Sequence, residues 1–332
     1  MCQSTNNSGV DLMTIESKAN NWRPTAKLPA LQARAEFYRT IREFFAAREV
    51  LEVETPLMAA RGVTDPYIQA FGVDDKYLQT SPEYAMKRLL SAGCGSIYQI
   101  CKAFRREEAG NFHNPEFTML EWYRLGFDHL QLMDEVDDLM QALLDCAPAQ
   151  RISYHDLFTK FFAINPHDVN IDRLQSCAEQ HGINLSSTAL KNLTVTDWLQ
   201  LLMSHIIEPQ LTGPVPWIVY DFPAAQAALA KVMPGKYPVA ARFEIYMQGI
   251  ELANGYYELQ DAAEQEKRFA ADNALRSEQK IHQMQPDERL VAALAVGFPE
   301  CAGIALGLDR LLMLKLQAKS IAEVLTFTIE NA

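Results

Sequence analysis

The chain has 332 residues, 48% of them apolar, and a formal net charge of −12 at pH 7, so it can bury a substantial core and need not be more than one unit with an insertion. It has no run of about 18 apolar residues and no signal-peptide pattern, so no membrane contact is expected. Its six cysteines show no zinc-type spacing and it has no basic tract, which favours a reduced, cytoplasmic setting and argues weakly against a nucleic-acid partner.

The predicted elements begin with a polar, flexible segment at 1–24, and residues 25–332 are predicted to form one domain. Apolar residues at helical spacing predict a helix over Leu31–Glu49 that leads into a strand at Val50–Glu54. A second helix is predicted to begin with Ser81 as N-cap and Pro82 at the first helical position, and to stop at Gly93.

Two strands joined by a polar loop are predicted between Tyr98 and Tyr123. Period-2 alternation places Phe117, Glu121 and Tyr123 on one face of the second strand, while Arg105 lies near the end of the first. Charged side chains on a buried sheet need partners, because unpaired buried charge costs several kcal/mol. The residues alone leave open an exposed hairpin whose charged face is solvated.

The remaining elements predict an α+β fold in which an antiparallel sheet is flanked by helices. Residues 125–215 read as a mainly helical insertion. After it, a buried strand, a hairpin that turns at Gln248-Gly249, and two helices are predicted at Trp217–Phe222, Arg242–Glu258, Gln265–Gln279 and Asp287–Val296.

Three segments in a fixed order carry a resemblance to a known family. They are Arg-Glu-Val-Leu-Glu-Val-Glu-Thr-Pro at 48–56, Phe-Arg-Arg-Glu at 104–107 followed by His-Asn-Pro-Glu-Phe at 113–117, and Gly-Ile-Ala-Leu-Gly-Leu-Asp-Arg at 303–310. Together they resemble the three signature motifs of class II aminoacyl-tRNA synthetases. The resemblance implies a homodimer built on the first motif and an ATP site with Mg²⁺ built on the other two.

Adenylate formation needs charge neutralisation and alignment more than covalent help from the protein. The resemblance implies catalytic roles for Arg105, Arg310 and Glu251, with both arginines on phosphates. Glu244 and Glu251 would hold Mg²⁺, which prefers carboxylate oxygens. The implied ATP-binding set is Arg105, Arg106, Glu107, His113, Asn114, Phe117, Glu251, Leu252, Gly307 and Arg310.

Within class II the chain is most similar to lysyl-tRNA synthetases, and more closely to the truncated elongation factor P lysyltransferase family. Ala305 stands where the synthetases have glycine, and too few residues precede the first predicted helix for an anticodon-binding barrel. This family resemblance implies that (R)-β-lysine is activated and passed to a lysine side chain of elongation factor P, without tRNA anticodon contact. The implied substrate-binding set, whose acids face the two amino groups, is Ser81, Pro82, Glu83, Tyr123, Asn254, Glu258 and Ala305.

Two other functions stay open at this point. One is a freestanding lysine-activating enzyme that acts on tRNA or on a small molecule. The other is a non-catalytic regulator built on a synthetase core, although such a protein would be expected to lose the motif arginines and acids that are present here. The preference for α- or β-lysine and the acceptor cannot be read from the residues alone.

Overall fold

The protein is described here from a computed structural model that covers residues 22–106, 110–183 and 193–332. Most of the segment predicted to be flexible, 1–24, lies outside the described residues, as does Glu107. Within the described parts, no helix is both long enough and apolar enough to cross a membrane.

The described chain is built around one large sheet. Its strands are β1 (Leu51–Glu52), β2 (Met58–Ala59), β3 (Gly72–Val73), β4 (Lys76–Leu78), β5 (Ile97–Phe104), β6 (Glu116–Leu125), β7 (Gln150–Ser153), β8 (Trp217–Pro223), β9 (Val232–Met233), β10 (Val239–Met247), β11 (Ile250–Tyr257) and β12 (Cys301–Gly307). Nine of them form the sheet in the order β1-β5-β6-β12-β11-β10-β8-β7, with β9 beside β10, and the other three form a small sheet. Pairing is antiparallel except for β1 with β5 and β7 with β8, at the two edges. The predicted α+β class is confirmed.

Helices flank this sheet. They are α1 (Leu28–Ala46), α2 (Glu83–Ser91), α3 (His129–Leu144), α4 (Tyr154–Phe162), α5 (Ile171–Gln180), α6 (Val195–Leu202), α7 (Ala262–Glu278), α8 (Glu288–Ala295) and α9 (Leu308–Leu316). A π-helix at Met203–Ile207 continues α6, and 3-10 turns lie at Glu208–Gln210, Ala224–Gln226 and Ile321–Glu323.

The start of α2 follows from its local sequence. The backbone N–H of Glu83 donates to the hydroxyl of Ser81 at 3.1 Å, which satisfies one of the free donors at a helix N-terminus. Pro82, and not Ser81, is the N-cap residue, so the predicted N-cap was wrong by one position, because the first helical residue is Glu83. Gly93 lies just beyond the last turn with φ +84°, a left-handed conformation that ends the helix, as predicted.

The segment 125–215 divides between two apolar clusters. Helix α3 packs on the large sheet, where Val136 shares one cluster with Trp122. Helices α4 to α6 form a second cluster that contains Phe158 and Trp198. The short strand β7, which the residue pattern did not predict, pairs with β8 at the sheet edge. That this segment is an insertion stays a prediction.

The register of the central strands aligns polar residues in rows. Glu121 on β6 lies opposite Ala305 on β12, and Ala305 in turn lies opposite Asn254 on β11. Asn254 lies opposite Glu244 on β10. Alternate residues of a strand share a face, so the row two residues away presents its side chains to the same side. That second row is formed by Tyr123, Gly303, Tyr256 and Arg242.

Candidate active site

A cleft of about 1460 Å³ lies over these two rows. Sheet, helix α2 and the loop before β6 all contribute to its walls. The cleft brings together fifteen of the residues predicted from the sequence, which are Ser81, Glu83, Arg105, His113, Asn114, Phe117, Tyr123, Glu244, Glu251, Leu252, Asn254, Glu258, Ala305, Gly307 and Arg310.

Two predicted residues lie away from the cleft. Pro82 is buried and borders a smaller cavity of about 190 Å³ beside β2. Arg106 is exposed, its backbone N–H donates to Gln69 O at 2.8 Å, and its guanidinium lies 6.0 Å from the ring centroid of Phe71. The structure therefore places neither side chain with the others.

One end of the cleft is acidic. Glu121 is buried and accepts hydrogen bonds from the hydroxyls of Ser81 and Tyr123, each at 2.7 Å. Burial, followed by the charge of Glu83, raises the pKa of Glu121 to about 8. Burial also raises the pKa of Glu258 to about 7, against the opposing effect of Lys87. The carboxylates of Glu83, Glu121 and Glu258 lie close enough to repel one another, and this arrangement favours a cationic ligand.

Gly303 is what allows two of these side chains to come so close to the strand. A Cβ at this position would lie 2.3 Å from Cε1 of Tyr123 and 2.5 Å from Oε1 of Glu258. Contacts that short do not occur between real side chains, so only glycine leaves the Tyr123 ring and the Glu258 carboxylate in place.

Two arginines from separate elements line the other end. The guanidinium of Arg105 lies 5.2 Å from the ring centroid of Phe117, and its Nε donates to Thr80 O at 3.3 Å. Arg310, in the first turn of α9, donates from Nη1 to Glu251 O at 2.9 Å and from Nε to Phe112 O at 3.2 Å. Arginine is suited to phosphate oxygens because its planar group donates in a fixed fork.

Glu244 and Glu251 lie on the neighbouring strands β10 and β11. Oε1 of Glu244 accepts from Arg242 and, at 3.3 Å, from Asn254, while Oε2 accepts from Tyr246. Burial and the charge of Glu244 raise the pKa of Glu251 to about 7. Among the described residues no group of three or more His, Cys, Asp or Glu side chains could hold a metal ion. Two carboxylates still fit Mg²⁺, which usually takes its other ligands from phosphates and water.

Asn114 and His113 were both predicted to bind ATP, and the structure shows which protein groups surround them. Asn114 is buried, donates from its side chain to Glu116 O at 2.6 Å and accepts from the backbone N–H of Ile329 at 3.3 Å. Its amide therefore holds the loop before β6 to the C-terminal residues. His113 lies at the cleft wall in the same loop.

Three residues of the site were absent from the predicted set. Glu121 shares the period-2 face of Tyr123, and Arg242 precedes Glu244 by two residues. The alternation along each strand could therefore have indicated that both residues face the site. Arg242 donates to Asn254 Oδ1 at 3.2 Å and to Gln226 O at 2.7 Å. Lys87 had no such signal, because a lysine one turn after a glutamate is typical of an exposed helix face.

Comparison with known proteins gives consistent results. The family of class II tRNA synthetases (D, K and N) matches residues 15–331. Proteins named elongation factor P–(R)-β-lysine ligase from Salmonella dublin, Salmonella heidelberg (strain SL476) and Salmonella agona (strain SL483) are each 46% identical to the chain over 326 residues. Each alignment covers 95% of this chain and 100% of the relative. The family match includes every element that lines the cleft.

Proposed function

Because this chain belongs to the class II tRNA synthetase family and to the family of its ligase relatives, we propose that it activates (R)-β-lysine with ATP and transfers it to a lysine side chain of elongation factor P. One observation carries the proposal: a pocket of three carboxylates, of which Glu121 and Glu258 are buried and Glu83 is half-buried, opens into the same cleft as two arginines and a carboxylate pair. The first part suits a diamino acid and the second suits a triphosphate.

The first step joins the two substrates. The carboxylate oxygen of the amino acid attacks the α-phosphorus of ATP, the bond to the β-phosphate oxygen breaks, and pyrophosphate leaves. Arg105 and Arg310 offset the charge that develops on the phosphates, while Glu121, Glu258 and Tyr123 hold an ammonium group and so fix the attack angle.

In the second step the neutral amine of the acceptor lysine attacks the acyl carbon, the bond from that carbon to the phosphate oxygen breaks, and AMP leaves; the amine loses one proton to solvent as the amide forms. The row Glu121, Ala305, Asn254 and Glu244 crosses the floor of the cleft and sets the direction in which the amino acid lies. Mg²⁺ would be held by Glu244 and Glu251 and would neutralise phosphate charge. The acceptor is a protein, so no tRNA anticodon contact is required.

A two-stage assay tests this function. Pyrophosphate exchange is measured with ATP and (R)-β-lysine, with ATP and α-lysine, and with ATP alone, and we expect (R)-β-lysine to support the fastest exchange. Labelled (R)-β-lysine should then appear on elongation factor P. Label that appears only on tRNA would favour a freestanding tRNA-charging enzyme, and no exchange with any amino acid would favour a non-catalytic regulator.

The cellular setting follows from the same chemistry. ATP and elongation factor P point to the cytoplasm, and the cysteines within the described residues are all free thiols, as a reducing compartment requires.

Ala305 is the residue expected to set the choice between the two lysines. It lies between Glu121 and Asn254 in register and lines the cleft, so in the proposed function its methyl group would lie beside the part of the substrate next to the carboxylate. In α-lysine the amino group lies on the carbon beside the carboxylate, and in β-lysine it lies one carbon further away. Ala305→Gly should therefore improve kcat/KM for α-lysine relative to (R)-β-lysine by about 10- to 200-fold. An unchanged ratio would assign Ala305 to strand packing alone.

We also propose that the protein is a homodimer built around α1 and the residues that follow it. Leu51 on the edge strand β1 is 55% exposed, and Leu57 and Met58 are exposed nearby. Sedimentation equilibrium at micromolar concentration should give twice the chain mass of 37.4 kDa, and Leu51→Glu should shift the protein towards monomer. Leu130→Glu, at a leucine that is 46% exposed on α3, is the matched control. A monomeric wild-type protein would contradict this proposal.

A further inference from the structure

Lys87 is a buried cation to which the proposed reaction gives no direct part. It lies one turn after Glu83 on α2, and its side chain is 2% exposed. Its Nζ lies 2.6 Å from Oε1 of Glu83 and 2.7 Å from Oε2 of Glu258. Glu258 follows the end of β11, so this one ammonium group ties helix α2 to the central sheet across the floor of the acidic pocket.

The electrostatics of the pocket keep Lys87 charged. Burial by itself lowers the pKa of a lysine, but Glu258 and Glu83 outweigh it and hold the pKa of Lys87 above its ordinary value. The other titratable groups that face this cluster include Glu121, Tyr123 and Cys301, together with Tyr84 on α2 and Tyr256 on β11. Burial raises the pKa of both Tyr123 and Cys301 well above their usual ranges, so both are neutral at pH 7.

We propose that Lys87 is a positioning residue that fixes the spacing of Glu83 and Glu258 and sets the charge of the amino-acid pocket. The pKa of Glu121 is raised to about 8 and that of Glu258 to about 7, so a bound diamino acid would draw these carboxyls into their ionised forms. Three carboxylates and one ammonium group would then leave two negative charges, which match the two ammonium groups of the ligand. This inference rests on the proposed function, because the match has meaning only if a diamino acid is the substrate. Lys87 acts through the two glutamates and does not touch the substrate.

Lys87→Met keeps the length of the side chain and removes its charge. Lys87 opposes the rise in the pKa of Glu258, so without this cation the pKa of Glu258 rises further, and at pH 7 its carboxyl accepts an ammonium group less well. In pyrophosphate exchange we expect KM for (R)-β-lysine to increase at least about 10-fold at pH 7, while KM for ATP changes less than about twofold. Raising the pH to 9 should ionise the Glu258 carboxyl again and bring the KM for (R)-β-lysine most of the way back to the wild-type value.

Two further variants keep the test decisive. Lys267→Met is the matched control, because Lys267 pairs with Glu264 at 3.6 Å on α7 but is 79% exposed and lies outside the cleft lining. If Lys87→Met does not give a cooperative thermal unfolding transition, the double variant Lys87→Met/Glu83→Gln removes both members of one ion pair. In this double variant the KM for (R)-β-lysine should recover at high pH as it does in Lys87→Met, because Glu258 has lost its cationic partner in both proteins.

The outcomes separate this inference from the proposed function. An unchanged KM for (R)-β-lysine and an unchanged pH profile in Lys87→Met would overturn the role of Lys87 alone. A lower kcat together with higher KM values for both ATP and (R)-β-lysine, without a shifted pH profile, would show that Lys87 has a merely structural role. That result would also overturn the inference. A wild-type protein that activates no amino acid would overturn the proposed function, and this inference with it.

Discussion

Arg105→Ala is expected to slow pyrophosphate exchange by at least about 100-fold, because the preorganised charge that meets the phosphates is lost. The guanidinium of Arg105 lies in the cleft beside the Phe117 ring, where a nucleotide would bring its phosphates within reach. The loss should fall mainly on kcat, since charge develops on the phosphates during the reaction. Thermal unfolding should change by only a few degrees, because the side chain is partly exposed and borders the cleft rather than the apolar core.

Lys102→Ala gives the control for this experiment. Lys102 lies on the same strand, β5, has a side chain that is 42% exposed, and pairs with Glu116 at 3.3 Å outside the cleft. Removing an exposed ion pair of this kind has little effect on stability. Exchange in Lys102→Ala should remain close to that of the wild type. Near-normal exchange in Arg105→Ala would remove Arg105 from the catalytic set.

Gly303→Ala should raise KM for the amino acid by about 100-fold or more, while the protein still binds ATP. The added methyl group would overlap the Tyr123 ring and the Glu258 carboxylate, so at least one of them must leave its position. Both lie at the acidic end of the cleft, where they hold an ammonium group in the proposed function. Kinetics with varied amino acid at saturating ATP, together with a direct ATP-binding measurement, separates the two effects.

Gly255 and Gly72 provide a paired comparison for Gly303→Ala. A Cβ at Gly255 would lie 2.4 Å from Cζ of Phe243, which belongs to the core on the opposite face of the sheet. Gly255→Ala should therefore lower the melting temperature more than it changes KM. A Cβ at Gly72 meets nothing within 4 Å, and Gly72→Ala should be neutral. An unaltered KM in a folded Gly303→Ala protein would contradict the assigned geometry.

The sequence predicted the central part of the fold because local rules operate there. The near-continuous apolar run from Trp217 to Phe222 forms the buried strand β8. Gln248 and Gly249 both have positive φ, at 53° and 76°, as a tight hairpin between β10 and β11 requires. Period-2 alternation on β6 placed Phe117, Glu121 and Tyr123 on one face, and all three line the cleft.

Features that depend on distant pairing could not be predicted in this way. Gln150–Ser153 is short and largely polar, and it becomes a strand only because β8 lies beside it. Lys87 is buried by Glu258, a residue on a distant part of the chain, and its neighbours in sequence give no sign of this. Arg106 belongs to the second motif segment and Pro82 to the predicted start of α2, but Arg106 lies near Phe71 and Pro82 borders the smaller cavity, so neither lines the cleft.

The position of β12 has a consequence for how the chain acquires its structure. Of the strands that the structure describes, β12 comes last in the chain, yet it lies in the middle of the sheet between β6 and β11. During synthesis β6 and β11 each keep one edge unpaired until β12 has been made, and unpaired strand edges are prone to pair with other chains. Closing the sheet also brings together segments that are far apart in sequence, which slows folding. Ribosome-bound chains that stop short of Cys301 should accordingly be sensitive to protease and dependent on chaperones, and resistance should arise in a single step once β12 has emerged.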